Sequence, residues 1–545
     1  MKAFAQTPIR SRSAEEGACQ ISWLDVLLPL VLMALCFLVG LRALGLVGPD
    51  EPRYAAIARN MARSCDWITP RLAGEPWFEK PALYYWLAGF AYRWFGDGEF
   101  AMRLPSVLAA VLATLAAAWA ALRAYGANAA RLALLMLPVT VGMIGLSHSA
   151  AFDMLFAAFL TAAAAAGAEI LQKQRAGVSW MLAFGFLLGV ATLAKGPAAV
   201  LLAGGATLLW GLASRQIAAA FRFFHPACVA AFAVTAVPWY ALCAARNPDF
   251  LRVFFFEHNV ERYLTPLFQH SQPRWFFIPV LLLAVFPWTA LLVPLFLDAL
   301  QARNSGQWRN SPTLYFACWV ITPVVFFTFS ESKLPGYILP SVPPLVLILS
   351  ATLARRLSGK DRSPWIWPAA VACSLPLLSL SAGYWVKQIP ADSGMATANA
   401  WMGWLALAAG GGLLCAGWAW ARKEQAAVTG VAILMSALVV AAVVSALPRL
   451  DPYLSARAAA RATAEELGSA GRVFVLGEDR SFQLGLEYYL DRPVPPLGSP
   501  APVPVSIWTT SALATNLEHQ GYRYTVIRRL SNAAWLLRIE QAPGT

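Results

Sequence analysis

The sequence predicts an all-α polytopic membrane protein, with amphipathic helices lying in the membrane plane and a small soluble α/β domain at its C-terminal end. Three observations carry this reading. Of 545 residues, 59% are hydrophobic and 13% charged, more apolar surface than a soluble chain of this size buries. The apolar residues gather into segments close to the roughly 20 residues that span a bilayer, giving about thirteen helices. The connections between those segments alternate in character, short and basic on one side and longer, with acids and aromatics, on the other.

The segments fall at about 24–47, 102–122, 129–147, 150–170, 178–194, 196–213, 224–245, 275–297, 312–329, 336–354, 365–386, 401–421 and 427–447. The first follows a polar stretch and has no convincing cleavage site after it, so it reads as an uncleaved first helix rather than a signal peptide. Basic connections carry Lys2, Arg10 and Arg12; Arg123 and Arg131; Lys173 and Arg175; Arg215 and Arg222; Arg303 and Arg309; Arg355, Arg356, Lys360 and Arg362; Arg422 and Lys423. They face the cytoplasm by the positive-inside rule. The 48–101 loop, the turns at 148–151 and 195–196, the 246–274 loop, SESKLPG and the 387–400 loop then face outward. A net charge of +13 is spread in ones to fours between apolar segments, without the basic face that nucleic acid requires. The eight cysteines form no close metal-type pairs and imply neither a disulfide framework nor a zinc finger.

The 48–101 loop holds the densest charge. Asp50 can cap a helix over about 51–64, with Pro52 tolerated and Glu51 favoured in its first turn. Tyr54, Ile57, Ala58 and Met61 recur at helical spacing on one side, with Arg53, Asn60 and Arg63 on the other. Such a helix lies in the interface. A second, over 81–96, is aromatic and too short to span. Between them PWFEKP places Glu79 and Lys80 at the membrane plane.

Residues 1–447 therefore form the membrane domain. From 448 to 545 the composition changes: GRVFVLGE and RYTVIRRL read as strands, SARAAARATAEELGSAG and SFQLGLEYYL as helices. An odd number of spans places this domain outside. It holds no catalytic constellation and reads as a lid or docking surface.

The ionisable groups of the outer face converge. The first loop gives Asp50, Glu51, Arg53, Glu79 and Lys80; Asp153 starts the fourth span and Lys195 ends the fifth. FFFEHNVERYLTPLFQHSQP adds Glu257, His258, Glu261, Arg262 and His270, and SESKLPGY adds Glu331, Lys333 and Tyr337. Charges beside spanning segments are costly and line water-filled cavities. Each has a plain alternative: Asp153 as a cap, Lys195 snorkelling from a helix end, the histidines as interfacial hydrogen-bonding groups. Together the acids and bases suit an anionic substrate.

These residues also carry a resemblance. DEPRYAAIARNMARSCDWITPRLAGEPWFEKPALYYWLAG, FAMRLPSV, FDMLF, TLAKGPAA, VPWY, FFFEHNVERY and SKLPGYILP resemble the aminoarabinose transferases of lipid A, within the membrane-bound C-type (GT-C) glycosyltransferases that use polyprenyl-phosphate sugars. The resemblance covers most of the membrane region and is weak over the last hundred or so residues. It implies transfer of 4-amino-4-deoxy-L-arabinose from undecaprenyl phosphate to a lipid A phosphate, at the periplasmic face of the bacterial inner membrane. It also implies Asp50 and Asp153 as the catalytic carboxylates. Cys65 departs from the pattern, where glycine is the expected residue beside the Asp.

The chemistry agrees with the residue types. Breaking a sugar–phosphate bond develops positive charge on the sugar and negative charge on the phosphate, suiting carboxylates and Lys or Arg respectively. Glu51, Arg53, Tyr54, Lys80, Lys195, Arg262, Lys333 and Tyr337 are the expected substrate and phosphate contacts. Glu79 with His258 or His270 could hold one divalent ion (Zn, Mg or Mn), and no organic cofactor is implied. The expected partners are the lipid-linked donor, lipid A and membrane lipids, with the chain acting as a monomer. Two other functions compete: a related glycosyltransferase acting on protein or another glycan, and a transporter of the lipid-linked sugar. The lack of an internal repeat, and acids at the outer edge rather than mid-membrane, weigh against the transporter.

Overall fold

Helices form within the apolar segments, although the first, expected to run to about 47, ends at Leu38. The computed structural model describes residues 23–172, 177–265, 271–358, 364–380, 398–468, 471–477, 480–498, 503–531 and 534–541. The readings made for Lys2, Arg10, Arg12, Lys173, Arg175, His270, Lys360, Arg362 and the 387–397 part of an outward loop lie outside these residues.

Among the described residues seven helices are long and apolar enough to cross a membrane, and two bent pairs and four shorter apolar helices accompany them. In chain order the first nine helices are α1 Trp23–Met33, α2 Asp50–Ser64, α3 Leu83–Phe95, α4 Glu99–Tyr125, α5 Ala127–Met136, α6 Val141–Ser147, α7 Asp153–Gln172, α8 Val178–Lys195 and α9 Ala198–Ala213. Helix α7 and the 335–358 segment are almost wholly buried and form the centre of the bundle. Small residues let the helices approach closely there: Ala110, Ala113, Ala117 and Ala121 of α4 and Ala157, Ala158 and Ala163 of α7 are all inaccessible to solvent.

The two bent pairs explain each other. The α5–α6 pair bends by 55° and the Phe277–Ala284 helix bends by 108° into the segment that follows it. Pro138 and Pro287 lie at these breaks, where each removes a helix donor. Val141 N donates to Phe286 O (3.0 Å), and Trp288 Nε1 donates to Met136 O (2.9 Å). Each break thus supplies partners for backbone groups freed by the other, the condition for an interrupted helix at membrane depth.

Helix α2 departs from its predicted setting. Its N-cap position is Pro49, with no side-chain cap, so Asp50 sits inside the first turn and its carboxylate is free for another partner. Tyr54, Ile57, Ala58 and Met61 are buried as their spacing predicts, but Arg53 and Arg59 are buried too. Helix α3 and the Arg480–Leu490 helix of the C-terminal region pack against α2, while on the side predicted to be polar Asn60 stays half-buried and Arg63 exposed. The helix ends at Cys65 in the left-handed conformation, φ 57°, the position that ordinarily takes glycine.

Glu51, expected as a substrate contact, is engaged within the protein. Its carboxylate is buried and accepts from Arg103 Nη2 (2.7 Å), Val47 N (2.9 Å) and Ala150 N (2.8 Å). Arg103 also donates to the carbonyls of Leu41, Leu44 and Gly45, so this ion pair ties α2, α4, the end of the first span and the turn before α7 together.

The C-terminal region contains a four-stranded sheet in the order β3-β4-β6-β5, with β3 Val473–Val475, β4 Val505–Thr509, β5 Arg523–Ser531 and β6 Ala534–Gln541. A short hairpin, β1 Arg71–Leu72 and β2 Glu75–Pro76, lies in the first loop. Strands β3 and β4 are parallel and the others antiparallel. Helices Arg457–Leu467, Arg480–Leu490 and Ser511–His519 complete the unit. Every residue of β4 is buried, with Trp508 in one apolar cluster and Val505 and Ile507 in another.

Because both members of the Glu51–Arg103 pair are buried, removing one partner strands a charge, at a cost of about 3–5 kcal/mol. Glu51→Ala is expected to lower Tm in detergent and the yield of inserted protein, whereas Arg63→Ala, on an exposed side chain, should change Tm little.

Candidate active site

The site grows from the PWFEKP turn. After the β1–β2 hairpin, Trp77 N donates to Pro70 O (2.8 Å), which folds the following residues back beneath α2. Glu79 is thereby buried, 5% exposed. A lone buried carboxylate is untenable, and three cations gather on it. Arg53 Nη2 reaches its Oε2 at 2.9 Å, Arg262 Nη1 its Oε1 at 2.9 Å, and Lys80 Nζ lies 3.7 Å from Oε1. Arg53 also pairs with Asp50 Oδ1 at 2.5 Å and stacks over the rings of Tyr54 and Trp77.

Arg262 arrives from a π-helical run, Arg252–Glu261, a geometry that concentrates at functional sites. Tyr263 fastens this run to the SESKLPG loop: its hydroxyl donates to Phe326 O (2.9 Å) and its carbonyl accepts from Glu331 N (2.9 Å).

A second cluster adjoins the first. Lys195, the last residue of α8, donates to Asp153 Oδ1 at the start of α7 and lies over the ring of Tyr337, 4.5 Å from its centroid. The chain leaves Lys195 through Gly196 at φ 89°, where a Cβ would come within 2.9 Å of Phe254 Cζ. Gly336 packs on the Asp153 carboxyl group so closely that a Cβ there would lie 3.0 Å from its carbon. The sequence reading missed Gly336; the Pro-Gly pair in SKLPGY was its available signal.

Lys80, Lys195, His258, Arg262 and Tyr337 line one wall of a cavity of about 830 Å³. Most of the rest of its lining is apolar, including Leu201, Phe255, Phe256, Val260, Leu264 and Phe326. Asn259 and Tyr263 also line it and were not singled out from the sequence. Asp50 and Asp153 stand behind the lining cations, Asp50 in the Arg53–Glu79 cluster and Asp153 on Lys195. Besides Glu51 and Arg53, two expected contacts lie off the cavity lining. Tyr54 is buried edge-on to Tyr84, Tyr85 and Phe152, and its hydroxyl accepts from Arg53 Nη2 (3.3 Å). Lys333 is buried, 6% exposed, but lies outside the residues lining the cavity.

Glu79, the expected metal ligand, is engaged by cationic side chains. Its two oxygens are taken by Arg53 and Arg262, and no three His, Cys, Asp or Glu among the described residues come together as a ligand set. His258 lines the cavity without such companions.

The electrostatics follow from burial and proximity. Burial pushes the Glu79 carboxyl up, but Lys80, Arg53 and Arg262 outweigh it and hold the group down at about 2. Burial, with Arg262 beside it, lowers the Lys80 ammonium to about 8 against the pull of Glu79. Burial raises Asp50 above its ordinary value despite Arg53, and lowers His258. Three cations, Arg53, Lys80 and Arg262, thus face two carboxylates, Asp50 and Glu79, at the mouth of an apolar groove. That excess suits an anionic head on a lipid tail.

Known proteins share this architecture. Residues 22–254 match the family described as dolichyl-phosphate-mannose-protein mannosyltransferase. An undecaprenyl phosphate-alpha-4-amino-4-deoxy-L-arabinose arabinosyl transferase of Edwardsiella ictaluri is 34% identical over 61% of this chain and 59% of its own length. One from Pseudomonas aeruginosa is 33% identical over 60% and 59%. The match therefore spans about three-fifths of these relatives. The crystal structure of ArnT from Cupriavidus metallidurans bound to undecaprenyl phosphate superposes with a TM-score of 0.76 at 26% identity, over 94% of this chain and 97% of that one.

The lowered Lys80 gives a pH dependence of defined sign. Its charged form is present below about 8 and is lost as pH rises through that value, so anion binding should weaken on the alkaline side. The Kd for undecaprenyl phosphate should rise about fivefold between pH 8 and pH 9 if only the ammonium form binds. Lys80→Arg should flatten the profile, because a guanidinium stays protonated. A flat wild-type profile from pH 7 to 9.5 would show that the ammonium is dispensable.

Proposed function

We propose that this chain, which belongs to the family of undecaprenyl phosphate-aminoarabinose arabinosyl transferases, moves 4-amino-4-deoxy-L-arabinose from undecaprenyl phosphate to a phosphate of lipid A. The observation that carries this reading is the apolar cavity walled on one side by Lys80, Arg262, Lys195 and Tyr337. A polyprenyl chain suits the apolar wall and its phosphate the cations. Action as a monomer is part of this proposal.

In the reaction the bond between the sugar's anomeric carbon and the donor phosphate oxygen breaks, and its electron pair leaves with undecaprenyl phosphate. An oxygen of the lipid A phosphate supplies the pair for the new bond to that carbon. The acceptor phosphate is already anionic, so no general base has to remove a proton. Lys80 and Arg262 stabilise the charge growing on the departing phosphate, the preorganised electrostatics that yield the largest catalytic gains. Glu79, itself paired with Arg53, holds those cations in place. Asp50, raised by burial yet paired with Arg53, offers negative charge to the sugar as it becomes cationic. Asp153, held by Lys195, supports it or pairs with the amino group of the sugar.

Thirteen crossings fit the seven long helices, two bent pairs and four shorter apolar helices. With that odd number and the basic connections inside, the site and the 448–545 domain lie at the periplasmic face of the bacterial inner membrane.

Label carried on purified donor should pass to lipid A in detergent, which separates this activity from transport and from a protein acceptor. Asp50→Asn keeps the shape and removes the charge, and should lower kcat by about 100-fold or more. Near-full turnover in a folded Asp50→Asn protein would make Asp50 a structural residue. Impermeant thiol reagents applied from outside should label single cysteines placed at Arg71 but not at Lys423; the reverse pattern would invert the topology.

A further inference from the structure

The helix that presents Asp50 is gripped at its other end by the C-terminal region. Arg59 lies about two and a half turns beyond Asp50 on α2, and its guanidinium is buried, 8% exposed. Its Nη1 donates to Asp97 Oδ2 (3.0 Å) and to Tyr488 O (3.0 Å), and its Nη2 lies 2.9 Å from Asp491 Oδ1. The guanidinium also stacks over Tyr488, 4.4 Å from the ring centroid. Tyr488 returns a hydrogen bond from its hydroxyl to Asp97 Oδ1 (2.6 Å), and Arg63 Nη1 adds a second pair to Asp491 (2.6 Å). The next residue, Tyr489, takes a hydrogen bond from Leu46 N (2.8 Å) and gives one to Glu99 (2.8 Å).

One helix of the C-terminal region, Arg480–Leu490, thus holds both the approach to α2 and its second half. We propose that Arg59, Tyr488 and Asp491 are positioning residues that fix the setting of α2, and with it the place of Asp50 against the sugar. The inference rests on the glycosyl-transfer reading above and assigns the C-terminal region a part in catalysis.

Three features favour positioning over the alternatives. The cleft at this junction, about 380 Å³, is lined by Arg59, Arg457 and Arg461 and by Asp97, Glu99 and Asp491. Its charges balance, so it offers no surplus to an anion and is a joint rather than a ligand site. Asp97 and Asp491 are 40% and 50% exposed, where ion pairs contribute little to stability; what they constrain is the direction of a buried arginine on a rigid helix. Finally, α2 is anchored at its start by Glu51 on Arg103. A helix fixed at two points cannot slide or roll, and misplacement of a reacting group by about 1 Å can cost 100-fold in rate.

The test uses full-length Tyr488→Phe/Asp491→Asn protein, with undecaprenyl phosphate binding measured beside transfer to lipid A. The number of binding sites and the Kd should stay within about twofold of wild type, because the donor wall is untouched, while kcat per binding site should fall about tenfold or more. Asp491→Glu, which keeps the charge, should restore much of the rate. Unchanged kcat per binding site overturns the proposal, and so does a loss that follows the number of binding sites alone, since that marks a purely structural contact. Absence of transfer by the wild-type protein would instead overturn the assigned reaction.

Discussion

Glu79 is the carboxylate on which the site depends. Arg53, Lys80 and Arg262 come from three separate stretches of chain, and their mutual repulsion would drive them apart in a desolvated pocket. Unit charges about 4 Å apart at an effective dielectric of about 20 interact by about 4 kcal/mol. Glu79 offsets this for all three at once, and Arg53 passes the connection on to Asp50. Because the carboxyl is held down at about 2, it stays ionised across the physiological range. The cations therefore remain gathered when no anion is bound, and the site is preorganised.

A similar logic recurs away from the chemistry. Glu51 and Arg103 bind the segments around α2 by satisfying five backbone groups as well as each other. The two proline breaks lend one another hydrogen-bond partners. Where water is excluded, each polar group has to find its partner in the chain, and those partners dictate which irregular segments lie side by side. The irregularities of this bundle are thus coupled, and they frame the cavity.

The apolar helices were legible because length and apolarity set them, and the buried stripe of α2 because its spacing is helical. The convergence of Asp50, Glu79, Lys80, Asp153, Lys195 and Arg262 on one face was legible through the alternation of basic loops. Partners were not: Asp153 and Lys195 are 42 residues apart, and nothing local to Glu51 tells a carboxylate that ties loops together from one that meets a substrate. Glu79 was read as a ligand for a cation, which it is, but the cations are arginines and a lysine. The polar side of α2 was legible in part: Arg63 is exposed, but Arg53 is buried on Glu79 and Arg59 under Tyr488, a residue more than 400 positions later. Strand β4 escaped notice because both its faces are buried, which erases the alternation that marks a strand.

The cavity has a wall of Leu201, Phe255, Phe256, Val260, Leu264 and Phe326, several of them exposed on the outer surface of the bundle. On the proposed function, a lipid-tailed ligand would enter a groove walled this way sideways from the bilayer. The quantity that governs its occupancy is then the mole fraction of the ligand among the surrounding lipids, a two-dimensional concentration. Adding inert lipid at constant total ligand would dilute it, and detergent-to-protein ratio becomes a kinetic variable. A saturation constant for this protein has its natural unit in molecules per hundred lipids, and values from different micelles compare only after that conversion.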